Sequence, residues 1–250
     1  MKIGAQLYTV RDLCRSPEGL RSTLERVAGM GYEFLQLSGF VFDAAETKAL
    51  CDALGLRVML THTPPNRILN DTAAVIAEHK IMGCPYVGVG GFPGERSPEG
   101  VRGFLRDYLP AMRTFAEAGL KFQYHNHSFE FQRFDGGSLW DILVSESDPA
   151  LLGFTLDVYW VQHAGKDIAD LIRSLKGRID VCHYKDMAVV GGQQRFAAIG
   201  QGNFDWNKIT AAFEEAGAQY AFVEQDDCYG LDPLEELESS LRFLRGSRLF

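Results

Sequence analysis

Six times along this chain an amphipathic segment ends at a glycine and a short apolar run begins two or three residues later. Gly31 precedes Phe34–Leu37, Gly55 precedes Val58–Leu60, and Gly83 precedes Tyr86–Val89. Gly119 precedes Phe122–Tyr124, Gly177 precedes Ile179–Val181, and Gly217 precedes Tyr220–Val223. Glycine is favoured just past a helix because the backbone there turns through positive φ. Helix starts are equally legible. Ser16-Pro17-Glu18 and Ser97-Pro98-Glu99 each supply an N-cap, a proline at the first helical position and an early carboxylate, and Asp205 before Trp206 is a third cap. In the first helix Leu20, Leu24, Val27 and Ala28 recur at helical spacing. Adding the runs Ile3–Val10 and Leu152–Val158 gives eight strands, each followed by a helix. Alternation of this kind predicts a parallel sheet covered by helices, and eight units favour closure into a single α/β (β/α)8 TIM barrel over residues 1–250.

At 250 residues the chain is long enough for one large core, and 46% hydrophobic with 23% charged residues is ordinary for a globular protein. No stretch has the ~18–20 unbroken apolar residues of a membrane span. The N-terminal run reads as a strand and not as a signal peptide. A net charge of −8 argues against nucleic acid as a partner. The five cysteines, Cys14, Cys51, Cys84, Cys182 and Cys228, are odd in number with no CxxC, and read as reduced thiols of a cytoplasmic protein. No G-x-G-x-x-G follows a strand, and Gly88-Val-Gly-Gly91 is only a weak phosphate signal.

His125, Asp157, His183 and Glu224 stand at the ends of four of the apolar runs. His125, His183 and Glu224 lie six, six and seven residues after a helix-ending glycine. In a barrel these ends share one rim, so residues remote in sequence converge. Imidazole and carboxylate are ligands that one divalent ion (Mn, Zn, Co or Mg) accepts, and charges at an apolar barrel mouth are costly unless paired or metal-bound. The alternative is a structural hydrogen-bond network. A lone histidine such as His79 or His163 reads as structural. Other rim positions are Tyr8, Gln36, His62, Asn126, His127, Trp160, Lys185 and Asp186. The stretch 187–204, with glycines at 191, 192, 200 and 202, reads as an irregular loop long enough for a lid.

Segments spread along the chain resemble the xylose isomerase-like barrel superfamily, in the branch labelled sugar phosphate isomerase/epimerase. They are Gly4–Leu13, Tyr124–Phe131, Leu156–Gly165, His183–Met187, Gly200–Trp206 and Val223–Asp227. By resemblance, ketose epimerases of the superfamily hold one divalent metal through Glu, Asp, His and Glu after strands 5 to 8. The last three match Asp157, His183 and Glu224; His125 replaces the first glutamate. Trp160 stands where many members carry histidine. The abasic-site endonucleases of the same barrel need further zinc ligands, and Trp160 and the glycines after strand 4 remove two of those positions.

The resemblance and the rim together imply an isomerase or epimerase acting on a keto-sugar or sugar derivative by α-proton abstraction through an enediolate. Glu224 is the first base and His125 the second or a fourth ligand, while Lys185 would either neutralise the enediolate or serve as an ordinary salt-bridge partner. Tyr8, His62, His127 and Trp160 would shape a small-molecule sugar pocket. Arg195 is the one obvious phosphate partner, but the acidic loop 224–232 favours an unphosphorylated substrate. The alternatives are a lyase eliminating a β leaving group from a 3-keto-glycoside or cyclitol, and a non-catalytic sugar-binding protein. Oligomeric state is open, with a homo-oligomer compatible.

Overall fold

The computed structural model describes residues 1–247 and 249. The eight barrel strands are β1 (Lys2–Gln6), β2 (Phe34–Leu37), β3 (Arg57–His62), β4 (Tyr86–Val89), β5 (Lys121–His125), β6 (Leu152–Asp157), β7 (Val181–Tyr184) and β8 (Tyr220–Val223). Each pairs in parallel with its sequence neighbours, and β8 returns to β1, so the sheet closes as a single (β/α)8 barrel. All six glycines have positive φ, from 66° at Gly83 to 100° at Gly31, and Gly31, Gly55, Gly83 and Gly217 cap helices directly, whereas Gly119 and Gly177 follow helices that end at Glu117 and Ser174. Ser16, Ser97 and Asp205 accept from the backbone N–H three residues ahead, as caps should.

Two cores follow from the two faces of the strands. The larger lies between barrel and helices. The smaller fills the barrel interior with Phe34, Leu60, Tyr86, Val181 and Phe222. Gly4 belongs to this packing, since a Cβ there would stand 2.6 Å from the Phe222 ring. Side chains two residues apart share a strand face. Gln36, His62, His183 and Glu224 therefore sit one step above Phe34, Leu60, Val181 and Phe222. A polar crown rests on a dry apolar plug.

Three segments depart from the sequence expectations. The first strand ends at Gln6 and not at Val10, because Leu7–Cys14 coils into a 3-10 helix. Leu7, Val10 and Cys14 are buried at helical spacing, which makes the coil the better way to bury them. The stretch 187–204 is irregular only in its second part, 198–204. Asp186–Val190 and Gln193–Ala197 pair as an antiparallel hairpin turning at Gly191 and Gly192. Asp186 anchors its base, accepting from Met187 N, Gly200 N and Gly202 N at 2.8, 2.8 and 3.2 Å and from Trp206 Nε1 at 2.8 Å. The third departure is β7, which begins two residues after Ile179.

Among the described residues no helix is long and apolar enough to cross a membrane. All five cysteines are free, and four of them are buried.

Candidate metal centre and catalytic site

Strand phase places His125, Asp157, His183 and Glu224 inside the rim, where one ligand atom from each lies within 4.8 Å of all the others. His125 Nε2 is 3.0 Å from Asp157 Oδ2. His183 Nδ1 is 3.5 Å from the same oxygen and 2.8 Å from Glu224 Oε2. Behind this group, His183 Nε2 meets Gln36 Oε1 at 2.7 Å, and Asn126 Oδ1 accepts from Asp157 N at 2.9 Å. A proton on His183 Nε2 satisfies the Gln36 oxygen, and Nδ1 is the nitrogen turned toward the carboxylates. The Asp157 Oδ1 atom is taken by the N–H groups of Tyr159 and Trp160, which leaves Oδ2 for the cluster.

Lys185, two residues beyond His183 and on the same face, is buried among carboxylates. Its ammonium lies 3.0 Å from Asp157 Oδ2, 2.9 Å from Glu224 Oε2 and 2.7 Å from Asp226 Oδ1. Three carboxylates facing one ammonium leave two negative charges, which matches one divalent cation. His183 Nδ1, Glu224 Oε2 and Asp226 Oδ1 have close polar neighbours yet no aligned hydrogen-bond partner. An oxygen and nitrogen donor set that converges on one point, and a residual negative charge that the single ammonium leaves uncancelled, together fit a divalent ion.

The acidities reflect the same field. Burial raises the Asp157 carboxyl, but Lys185 and the two histidines outweigh it and hold it well below the usual carboxylate range. Glu224 behaves alike: burial opposes, Lys185 and His183 win, and the carboxyl is ionised. For His183, burial pulls down, but Glu224 and Asp157 turn the net shift upward. Burial and then the neighbouring His183 push His125 down to about 3. Burial and then Lys185 push His127 down to about 4. His62 is driven well below its ordinary value by burial and by His125. Burial of Lys185 is outweighed by its carboxylates, so the ammonium is held. Asp226 is raised to about 6, by burial first, with Lys185 opposing.

A cavity of about 320 Å³ opens over this group, lined among others by Tyr8, His62, His125, His127, Lys185 and Glu224. His62 packs its ring 5.1 Å from His125 and 5.5 Å from His183, with Nε2 buried and unpartnered. Trp160 stands at the edge, its ring 5.4 Å from His127 and 5.9 Å from the Lys185 ammonium. Arg195 is not brought to the cavity. Its guanidinium lies over Tyr229 at 4.9 Å. Alternation along the hairpin turns the next residue, Phe196, inward to stack on Tyr159 at 4.1 Å and to face Lys185 at 5.9 Å. His79 bonds Thr61 Oγ1 and Val75 O, a structural role.

Two residues of the site were not singled out from sequence. Asp226 lines the cavity, and its signal was present: it follows Glu224 by two, as Lys185 follows His183. Phe196 gave no signal until the hairpin was paired.

A closed parallel barrel with a buried imidazole and carboxylate crown at the C-terminal strand ends defines the class of barrel proteins that work at that rim. The chain matches the xylose isomerase-like TIM barrel family over residues 24–247 and belongs to it. A sugar phosphate isomerase/epimerase from Parabacteroides distasonis superposes with a TM-score of 0.86 at 21% identity, covering 99% of this chain and 94% of that one. The IOLI protein, solved with a binding zinc atom, gives 0.77 at 16% identity over 100% and 99% of the two chains. An L-ribulose 3-epimerase gives 0.76 at 17% identity over 100% and 95%. Among curated sequences, probable endonuclease 4 of Mycobacterium tuberculosis is 29% identical over 163 residues, which is 62% of this chain and 62% of that protein's length.

Proposed function

We propose that the protein is a divalent-metal-dependent isomerase or epimerase of a keto-sugar or sugar derivative, acting by removal of the proton α to the carbonyl. The observation that carries this reading is the convergence of His125, Asp157, His183 and Glu224 within 4.8 Å, beside a buried ammonium. Asp157, His183 and Glu224 would hold the ion, with His125 as fourth ligand or immediate neighbour. A bound divalent cation supplies the Lewis acidity that makes a C–H beside a carbonyl removable. Two imidazoles with two carboxylates suit Mn, Zn or Co better than Mg.

The chain's own groups account for the rest. Glu224 is ionised and borders the cavity, so it can accept the proton. His125 Nδ1 is buried with no partner, so the ring can exchange a proton there on another side of the substrate. Lys185 sets a fixed positive charge where enediolate charge would develop. Tyr8, His62 and His127 border the cavity and can orient hydroxyls. Trp160 stands beside it.

The test is solvent exchange. Metal-loaded protein is incubated in deuterium oxide with a panel of keto-sugars, cyclitol ketones and 3-keto-glycosides, and read by proton NMR. Deuterium should enter at the carbon beside the carbonyl, stop on chelation and resume on adding metal back. No exchange across the panel at stoichiometric metal refutes the reading in favour of a sugar-binding protein.

A further inference from the structure

A second cavity, of about 350 Å³, opens beside the first. The two share Pro65, Gly90, Gly91 and His127. Gly90 and Gly91 are the saddle between them. A Cβ on Gly90 would stand 3.5 Å from His62 Nδ1 and one on Gly91 3.7 Å from His127 Nδ1, so any side chain there would grow into the passage. The φ of +112° at Gly91 disfavours a side chain there as well. Bare backbone thus keeps the two cavities continuous. The first lies over the crown carried by β5 to β8, and the second over the loops after β4 and β5.

The wall of the second cavity is built of flat groups. Phe129 stacks on His127 with 5.7 Å between centroids and 18° between planes. It meets Phe92 edge-on at 5.5 Å, and the Arg96 guanidinium covers its ring at 4.1 Å. Arg96 is exposed and makes no salt bridge or hydrogen bond among the described residues, though its charge favours ionisation of the buried Glu130. The lining holds no carboxylate, no lysine and no second arginine. A phosphate would call for several converging donors. Because the guanidinium covers Phe129, its own outer side, with no carboxylate in the lining to hold it, is the flat cationic surface that suits a planar ring.

We propose that the substrate has two parts, a sugar ring in the metal cavity and a planar aromatic aglycone in the second cavity, so that the protein acts on aryl glycosides in preference to free monosaccharides. This rests on the sugar reading of the metal centre.

The experiment is calorimetric titration of manganese-loaded protein with phenyl and methyl β-glycosides of glucose, galactose and xylose, and with glucose 6-phosphate. These probes lack the reacting carbonyl and report binding alone. At least one phenyl glycoside should bind about tenfold more tightly than its methyl counterpart, the scale of one aromatic stacking contact. The exposed Arg96→Ala should reduce that ratio to about threefold or less with methyl-glycoside binding unchanged. Equal binding of phenyl and methyl forms, or tighter binding of the phosphate, overturns the second cavity's assignment. If α-proton exchange on monosaccharides is present at the same time, the sugar reading survives alone. Failure of every glycoside to bind the loaded protein overturns the second cavity's assignment, while the sugar reading stands or falls with the exchange test on keto-sugars.

Discussion

His183 Nε2 and Gln36 Oε1 meet at 2.7 Å across the barrel, and this contact decides which imidazole nitrogen faces Glu224 and Asp157. Gln36 is wholly buried, so no solvent can replace it. Gln36→Leu keeps the bulk and removes the acceptor. Metal affinity should fall by ~10–100-fold, the usual effect of deleting an outer partner of a ligating histidine. Competition against a chromophoric chelator measures it, and unchanged affinity would show that His183 is oriented by packing alone.

Removing the ligands themselves is a coarser probe of the same centre. Asp157→Asn and His183→Ala should each abolish stoichiometric metal in elemental analysis. In the wild type, metal at a hundredfold its Kd should add about 2.7 kcal/mol to unfolding stability by mass action, and both variants should lose this increment. Full metal content in both variants would place the ion elsewhere.

Most of this barrel was legible because its signals are local. Glycine after a helix and apolar runs of strand length need only a few adjacent residues, and each strand's phase then carried its last polar residue to the rim. What was not legible depends on contacts between distant loops. Nothing near Asp186 announces that its carboxylate will gather the N–H groups of Gly200 and Gly202 and the indole of Trp206. Arg11 likewise reaches the backbone oxygen of Asp226 across 215 residues. The run from Leu7 to Cys14 is apolar enough for a strand, and only the burial of positions 7, 10 and 14 together reveals the coil. Asp226 does not stand out in the sequence because its loop also carries Asp227 and Asp232, which are exposed, and only the fold turns the one carboxylate inward.

Lys185→Met tests the charge balance. The variant leaves Asp157, Glu224 and Asp226 facing one another without the ammonium that lies within 3.0 Å of each. Breaking a buried ionic group by removing one partner costs about 3–5 kcal/mol, so urea unfolding in the presence of chelator should show a loss of that order. Added divalent metal should recover part of it. A loss under about 1 kcal/mol, the scale of an exposed pair, would show that the ammonium is not needed to hold the carboxylates together.

Glu224→Gln keeps the size and removes both charge and basicity, so α-proton exchange should fall by at least ~10²–10⁴-fold. His125→Glu is the complementary change, because it restores the carboxylate that the resemblance to ketose epimerases leads one to expect. Exchange on free ketoses should appear or rise in that variant, read by the same deuterium NMR. A fall to background with metal retained would mean that the imidazole itself carries the proton.

Glu130 gives the protein a pH dependence separate from the crown. Its carboxylate accepts from Tyr124 Oη at 2.7 Å and from His127 N at 2.8 Å, and burial pushes it up to about 7. The unfolded chain releases this proton near the ordinary carboxylate value, roughly 4.3, so between there and about 7 the folded state holds a proton that the unfolded state has lost. The contribution to stability is therefore complete below that window and is lost as pH rises through it. Glu130→Gln cannot ionise. Wild-type stability minus that of Glu130→Gln, from urea unfolding at half-unit steps between pH 4.5 and 8, should fall steadily and level off above about 7. The total fall should be a few kcal/mol, at about 1.4 kcal/mol for each unit of displacement. Taking the difference cancels the titration of the histidines and of Asp226, which both proteins share. A flat difference across the range would mean that Glu130 is ionised throughout and that Tyr124 and the His127 N–H suffice to offset its burial.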